Sequence, residues 1–313
     1  MKAFAVESPE KPAGLVTLPD PEVGARDVLV AIRAASVNGF DVYQASGYLV
    51  GMMEHRFPTV IGRDLAGIVE AIGPEVTDFA VGDAVFGFVP SMPPLERGTF
   101  AERISSASMV LVPKPSGLDF EQAAALPLAG AAALDLLDAV DVKDGDTILV
   151  VGATGGVGSF AVQLAAMRGA TVIATAAPAD EGFVLDLGAN HVVDHTGGSV
   201  VEAVRSLYPD GITTLIDVAS QGDALTDICV VVSPGGRVAS LLGAADVEYF
   251  AGRDVQATNV NAVATVEKLQ RLGAMAMSGE LRIPVQEVYS LDHVEEALEA
   301  FRQGKRGKLI VRV

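Results

Sequence analysis

The sequence predicts an α/β protein of two domains, a β-barrel-like domain followed by a doubly wound parallel-sheet domain. Three observations lead there. The first 120 residues carry short alternating apolar segments punctuated by Gly, Pro and Asp. Residues 121–260 alternate strand-like and helix-like segments, a rhythm that implies right-handed crossovers and a parallel sheet covered on both faces. Between them in rank of information stands one stretch, residues 147–170, TILVVGATGGVGSFAVQLAAMRGA.

Taken in order, residues 28–34 and 65–72 read as strands, followed by the turn-and-strand segment 82–87. In the second block, residues 148–151 are an apolar run fit for a buried strand. A turn rich in glycine follows (Gly152, Gly155, Gly156, Gly158), then a helical apolar pattern through Phe160, Val162, Leu164, Ala165 and Met167, closed by Gly169. Residues 171–175 form the next strand, and further strands are expected at 191–194, 214–218 and 236–241. Residues 261–278 read as a long helix, residues 294–303 as a second helix and residues 308–313 as a last strand. The domains are thus 1–120 and 121–260, with 261–313 returning in part to the first.

The strand, glycine turn, helix and second strand around Gly152–Gly158 form the unit that holds a dinucleotide pyrophosphate. Glycines let the backbone turn tightly and approach the phosphates, and the helix N-terminus offers free N–H groups and a positive dipole end. The loop has one residue more than G-x-G-x-x-G. Glycines alone serve packing as readily as binding; the register of the flanking elements is what points to a nucleotide.

Composition excludes several classes. Net charge is −18, from 40 acidic and 22 basic residues, which disfavours nucleic acid and anionic membrane surfaces. A single cysteine, Cys229, rules out an internal disulfide and a cysteine-based zinc cluster. No signal-peptide-like apolar region opens the chain, and the alanine-rich run 123–134 is too short to span a bilayer. A cytoplasmic location is expected.

The motifs, in their order, resemble those of the medium-chain dehydrogenase/reductase superfamily, and within it the zinc-free quinone oxidoreductase group. The matching pieces are Ser36-Val37-Asn38-Gly39-Phe40-Asp41, Gly47-Tyr48, Gly62-Arg63-Asp64-Leu65-Ala66-Gly67, Val81-Gly82-Asp83-Ala84-Val85, Gly98-Thr99-Phe100-Ala101-Glu102, Ala125-Leu126-Pro127, Gly155-Gly156-Val157-Gly158 and the closing Arg306-Gly307-Lys308. The resemblance implies a GroES-like β-barrel domain joined to a Rossmann domain. It also implies a homodimer through the Rossmann edge strands, with residues 236–241 and 255–260 as the candidate edge.

Zinc relatives place a cysteine three residues before an aspartate and a His-Glu pair after a glycine. This chain has Asn38 before Asp41 and Arg63-Asp64 after Gly62, and no cysteines for a structural zinc lobe. His55 and Asp64 alone make a poor zinc site, so no metal is expected. Without a Lewis acid an unactivated carbonyl is hard to polarise; quinones and α,β-unsaturated carbonyls accept hydride more easily.

By the same resemblance Asn38, Asp41 and Tyr43 lie beside the nicotinamide, and Tyr48 points into the substrate space. Tyr48, Asn38 and Asp41 are the candidate catalytic residues. Tyr48 either donates a hydrogen bond or proton or merely caps a loop; Asp41 fits holding a loop better than acting as a base; Arg63 is expected to pair with Asp64 or Asp41. A threonine that relatives use against the nicotinamide is replaced by Ala132. The cofactor-binding set is Ala153, Gly155, Gly156, Val157, Gly158, Thr175, His195, Leu242 and Lys305. An NAD enzyme would carry an acid at the end of the second strand, whereas this strand ends in Ala176-Ala177-Pro178, and no Lys or Arg lies between Arg168 and Arg205. NADPH is favoured over NADH, with His195 and a tail cation such as Lys305 for the 2′-phosphate; His195 is equally an ordinary loop histidine. The expected function is reduction of a quinone or enone by NADPH. The alternative is a nucleotide-binding redox sensor or structural relative with little turnover.

Overall fold

In the computed structural model, which describes residues 1–313, the chain divides into two compact units. The first comprises Met1–Leu128 with Ala264–Val313, and the second Ala129–Val263.

The first unit is built around the strand Asp27–Ser36. One side of it pairs along its whole length with Asp64–Ile72; on the other, its first half pairs with Arg103–Ala107 and its last residues with Lys308–Arg312. Two register shifts along Asp27–Ser36 mark bulges, which bend a strand and sharpen its twist. The sheet runs outward through Ala84–Phe88 to Leu111–Pro113 on one flank and through Lys308–Arg312 to Val285–Ser290 on the other. A small sheet of Gly14–Thr17, Lys2–Val6 and Thr59–Val60 completes the barrel-like domain. Val28, Val30, Ile32, Leu65, Val69 and Val85 fill one core, and Phe4, Val37, Ile61, Leu298, Leu309 and Val311 fill another. The whole tail returns here: Lys308–Arg312 is an interior strand, not an appendage.

The second unit is a six-stranded sheet, parallel throughout. Its order is His191–Asp194, Thr171–Ala176, Thr147–Val151, Ile212–Asp217, Val232–Ser240, Gln256–Asn259. Ile148, Leu149 and Val150 are fully buried, as the apolar run requires of a central parallel strand. Successive strands step one way from Thr147–Val151 and the other way from Ile212–Asp217, so the chain reverses between these two. That reversal is the crevice where nucleotides bind open α/β sheets.

Several elements differ from expectation. The helix expected from residue 261 begins at Val266, because the Thr265 side chain accepts from the Lys268 N–H and caps it. The alanine-rich run is two helices, Phe120–Ala125 and Pro127–Ala139, since Pro127 cannot continue the first and suits the start of the second. Phe120–Ala125 belongs to the first unit, which moves that boundary from 120 to 128. The strand expected from Gly236 starts at Val232 and passes Pro234, where the ladder is irregular. Lys2–Val6, Gly14–Thr17 and Val285–Ser290 were not anticipated, being short or half polar. No helix is long and apolar enough to cross a membrane.

Candidate active site

In the second unit the C-terminal ends of the parallel strands share one edge, with Val151 beside Asp217, Asp217 beside Ser240 and Ala176 beside Asp194. The segments carrying Ala153, Gly155, Gly156, Val157, Gly158, Thr175, His195 and Leu242 all lie at this edge. Gly152 leaves the first strand at φ +82°, and a Cβ there would fall 2.8 Å from Ala219 Cβ. Gly158 lies closer still to its neighbours: a Cβ would fall 2.1 Å from the Gly152 carbonyl oxygen and 2.8 Å from Ala153 Cα. The helix Gly156–Met167 therefore starts against the turn itself. Its N-cap is Gly155, which has no side chain to cap with. The first-turn amides of Gly156, Val157 and Gly158 are among those a helix cannot satisfy internally, and they are the groups that would hold a pyrophosphate.

Thr175, expected to touch the cofactor, is buried and uses its hydroxyl on the loop: it accepts from Gly152 N at 3.0 Å and donates to Val150 O at 3.4 Å. Asp217, which sequence reasoning missed, shapes the next loop by accepting from Ala219 N, Ser220 N and Ser240 Oγ at 3.3, 2.9 and 3.0 Å. His195 is exposed directly after its strand, and Leu242 is 46% exposed after Val232–Ser240. Ala153 is buried.

In the first unit the residues at the family's zinc positions form a closed polar network. Asp64 is fully buried. Its Oδ2 accepts from Ser36 Oγ at 2.7 Å and Asn38 Nδ2 at 2.8 Å, and its Oδ1 from Leu128 N at 3.1 Å. The Lys308 ammonium, also buried, lies 3.6 Å from Asp64 Oδ2 and donates to Asn38 Oδ1 at 2.6 Å and Val37 O at 3.2 Å. Asn38 is thus held at both ends of its carboxamide by protein groups. Burial pushes the Asp64 carboxyl up and the Lys308 amine down, and each charge opposes the shift of the other.

Asp41 closes the first turn of the helix Gly39–Ala45, its Oδ2 accepting from Asn38 N at 2.8 Å. It is fully buried and its Oδ1 has no protein partner. Burial pushes its carboxyl up to about 7, against the pull of the Arg63 charge. Arg63 departs from expectation. It pairs with neither carboxylate but donates to Gln44 Oε1 at 2.8 Å and Arg97 O at 3.2 Å, with its guanidinium 4.9 Å from the Phe40 ring centroid. Consecutive residues of an extended segment face opposite ways, so Arg63 cannot share the side on which Asp64 meets Lys308. Sequence reasoning missed Ser36, Gln44 and Lys308 as members of this network; a buried lysine in a closing apolar strand was the one available signal.

This donor set does not suit zinc. Three or more protein ligands are the norm, yet no cluster of three His, Cys, Asp or Glu side chains is present, and the Asp64 carboxylate is already bound by Ser36, Asn38, Leu128 N and Lys308.

Tyr48 follows Gly47 (φ +76°) and is 61% exposed, its ring 5.4 Å from that of Tyr43. Its phenol has no hydrogen-bond partner in the fold and is open to solvent. Lys305 lies in the first unit, its ammonium 4.0 Å from the Phe301 ring centroid.

Residues 24–116 match the family model described as alcohol dehydrogenase GroES-like domain, and residues 156–276 the one described as zinc-binding dehydrogenase. The chain is 32% identical over 311 residues to a quinone oxidoreductase of Sus scrofa, covering 95% of this chain and 91% of that protein. It is 30% identical over 299 residues to a 2-methylene-furan-3-one reductase of Solanum lycopersicum, covering 93% and 73%. Among solved structures, the quinone oxidoreductase from Coxiella burnetii superposes with a TM-score of 0.91 at 28% identity, covering 100% of this chain and 99% of that one. The GroES-like sheet, the parallel nucleotide-binding sheet and relatives aligned over nearly the full length agree: the chain belongs to the medium-chain dehydrogenase/reductase superfamily, a family of NAD(P)H-dependent oxidoreductases.

Proposed function

We propose that this protein is a zinc-independent, NADPH-dependent reductase of quinones or α,β-unsaturated carbonyls. The observation that carries the reading is the Asn38–Asp64–Lys308 network. At the family's zinc positions stand Asn38 and Asp64, and the ammonium of Lys308 is bonded to both. A simple ketone is hard to polarise without a Lewis acid, for which this donor set is ill suited; a conjugated acceptor needs less help. The names of the relatives, quinone and enone reductases, point the same way.

When bound, the reduced nicotinamide supplies the hydride. The chain's own residues bind and orient. The amides of Gly156, Val157 and Gly158 receive the pyrophosphate. The absence of an acid at the strand tip Ala176-Ala177 removes a charge that would repel a 2′-phosphate, and the exposed His195 is the residue we assign to meet it. Tyr48 donates a hydrogen bond to the oxygen that gains negative charge, and its proton is the one delivered there. Proximity supplies much of the remaining rate. The protein pairs as a homodimer through the outer side of Gln256–Asn259, the edge of the parallel sheet; light scattering at micromolar concentration checks this. Residues 236–241, first considered part of that edge, lie in an interior strand.

The deciding experiment measures NADPH consumption against a panel of quinones, enals, ketones and alcohols, with and without a chelator, alongside elemental analysis. Turnover confined to conjugated acceptors and indifferent to the chelator is expected. Stoichiometric zinc with chelator-sensitive activity overturns the reading, and tight NADPH binding without turnover on any acceptor replaces it with a redox sensor.

A further inference from the structure

We propose that the first unit binds an internal water molecule between Asp41, Gln44 and Arg63, as a fixed part of the frame that carries Asn38. The three side chains are 0%, 1% and 1% exposed, and each has one buried polar atom without a protein partner: Asp41 Oδ1, Gln44 Nε2 and Arg63 Nε. Buried polar groups are otherwise hydrogen-bonded, so three orphans on neighbouring side chains mark a binding site. The Thr99 hydroxyl, also without a partner, packs on Gly62 instead, where a Cβ would fall 2.4 Å from it.

The geometry brings the three atoms to one side. Asp41 and Gln44 stand three apart on the helix Gly39–Ala45 and share a face. Gln44 Oε1 accepts from Arg63 Nη2 at 2.8 Å, which fixes the oxygen end of the carboxamide and leaves its NH2 free. Nη2 shares one edge of the guanidinium with Nε, so the Nε–H points to the side on which Gln44 lies. The rest of the guanidinium is engaged: Nη1 donates to Arg97 O at 3.2 Å, and the group stands 4.9 Å from the Phe40 ring centroid. Arg63 and Asp41 are close enough for each charge to act on the other. Yet no Arg63 nitrogen lies within 4.0 Å of an Asp41 oxygen. Opposite groups parted by more than hydrogen-bond distance are the setting for a bridging water.

The donor and acceptor set selects the occupant. Arg63 Nε–H and Gln44 Nε2–H donate, and Asp41 Oδ1 accepts. A water takes two hydrogen bonds on its lone pairs and gives one to the carboxylate, the three partners usual for a buried water. An anion would satisfy the donors but confront the Asp41 carboxylate, and a cation would confront the guanidinium. Asp41 accepts from Asn38 N at 2.8 Å through its other oxygen. The bonds therefore run from Arg63 through the water and Asp41 to Asn38, whose carboxamide meets Asp64 and Lys308. The inference does not rest on the reductase reading, since it needs neither cofactor nor turnover.

The test is a high-resolution crystal structure of the full chain, grown with bromide as the only halide at about pH 8, above the Asp41 value of about 7. A density peak within about 2.7–3.2 Å of all three atoms, with no anomalous bromide signal, is expected. A direct bond from Arg63 Nε to Asp41 Oδ1, a dry gap, or a bromide peak overturns the proposal. In solution, water magnetic relaxation dispersion counts long-lived internal waters. The double variant Asp41→Leu, Arg63→Met removes both charges together and should hold one fewer, with a cooperative melting transition retained. An unchanged count in the folded variant overturns the proposal. The crystal structure needs no variant and decides even where this one fails to fold.

Discussion

The two units are held in shape by different means where their candidate site residues lie. In Ala129–Val263 the candidate site is backbone: the first-turn amides of one helix, at a turn that side chains at positions 152 and 158 would block. In the first unit the corresponding feature is a closed network of side chains from positions 36, 38, 64 and 308, sealed by a buried ion pair. The first arrangement has no titratable member and fails when bulk is added. The second is sensitive to charge and pH and fails when a partner is removed. The Lys308 ammonium is a cation fixed to the chain, and it leaves Asp64 only when the fold opens.

The largest expected effect breaks the second arrangement. Lys308→Met leaves Asp64 buried without its cation and should cost about 3–5 kcal/mol of stability, read by denaturant unfolding. The double variant Asp64→Leu, Lys308→Met should recover much of that loss, because an apolar pair needs no desolvation repaid. If the single variant unfolds like wild type, the ion pair is not what closes the network.

Asp41 adds a pH signature. Its folded value of about 7 lies above the unfolded value near 4, so the folded state binds more protons between the two. The stability it contributes is fully present below about pH 4 and is lost as pH rises through about 7, at no more than about 1.4 kcal/mol per unit. Asp41→Asn keeps an acceptor for Asn38 N and should flatten that slope; a slope unchanged in the variant would assign it to another group.

The first arrangement is tested by bulk. Gly156→Val should weaken NADPH binding by at least about tenfold, or about 1.4 kcal/mol, with circular dichroism unchanged. Gly158→Ala should instead disturb the fold, since its Cβ would overlap the Gly152 carbonyl. Full NADPH affinity in a folded Gly156→Val protein would move the pyrophosphate elsewhere.

The smallest effect concerns Tyr48, which belongs to neither arrangement. Tyr48→Phe should lower turnover on enals about tenfold, roughly 1.4 kcal/mol in the barrier, with NADPH affinity little changed and a smaller effect on quinones. Equal turnover on every acceptor would leave Tyr48 a packing partner of Tyr43.

The same division decides what could be read before the structure. Gly152 to Gly158 were legible because the turn, the helix and both strands are neighbours in the chain, and glycine is the residue that the close approach to Ala153 and Ala219 requires. The strand His191–Asp194 and the helix Val294–Gln303 fell where periodicity placed them. Lys308 was legible only as part of a motif: nothing local says that an ammonium so far along the chain from Asp64 will bury itself against it. Arg63 and Asp64 looked like partners because they are adjacent, which in extended backbone is a reason for them to part. Thr175 looked like a cofactor contact at a strand tip, whereas its hydroxyl is drawn inward by the Gly152 amide.

The interior position of Lys308–Arg312 bears on how the protein is made. Residues 129–263 are contiguous and leave the ribosome with every strand of their sheet. The first 128 residues emerge earlier yet cannot finish, because Ala34, Ala35 and Ser36 gain their neighbours on one side only when residues 310–312 arrive. A nascent chain stalled before residue 308 carries an open strand edge and an inward-facing aspartate with no counter-charge. That edge and that charge stay unmatched through the synthesis of the whole second unit, until residues 308–312 pair with Ala34–Ser36.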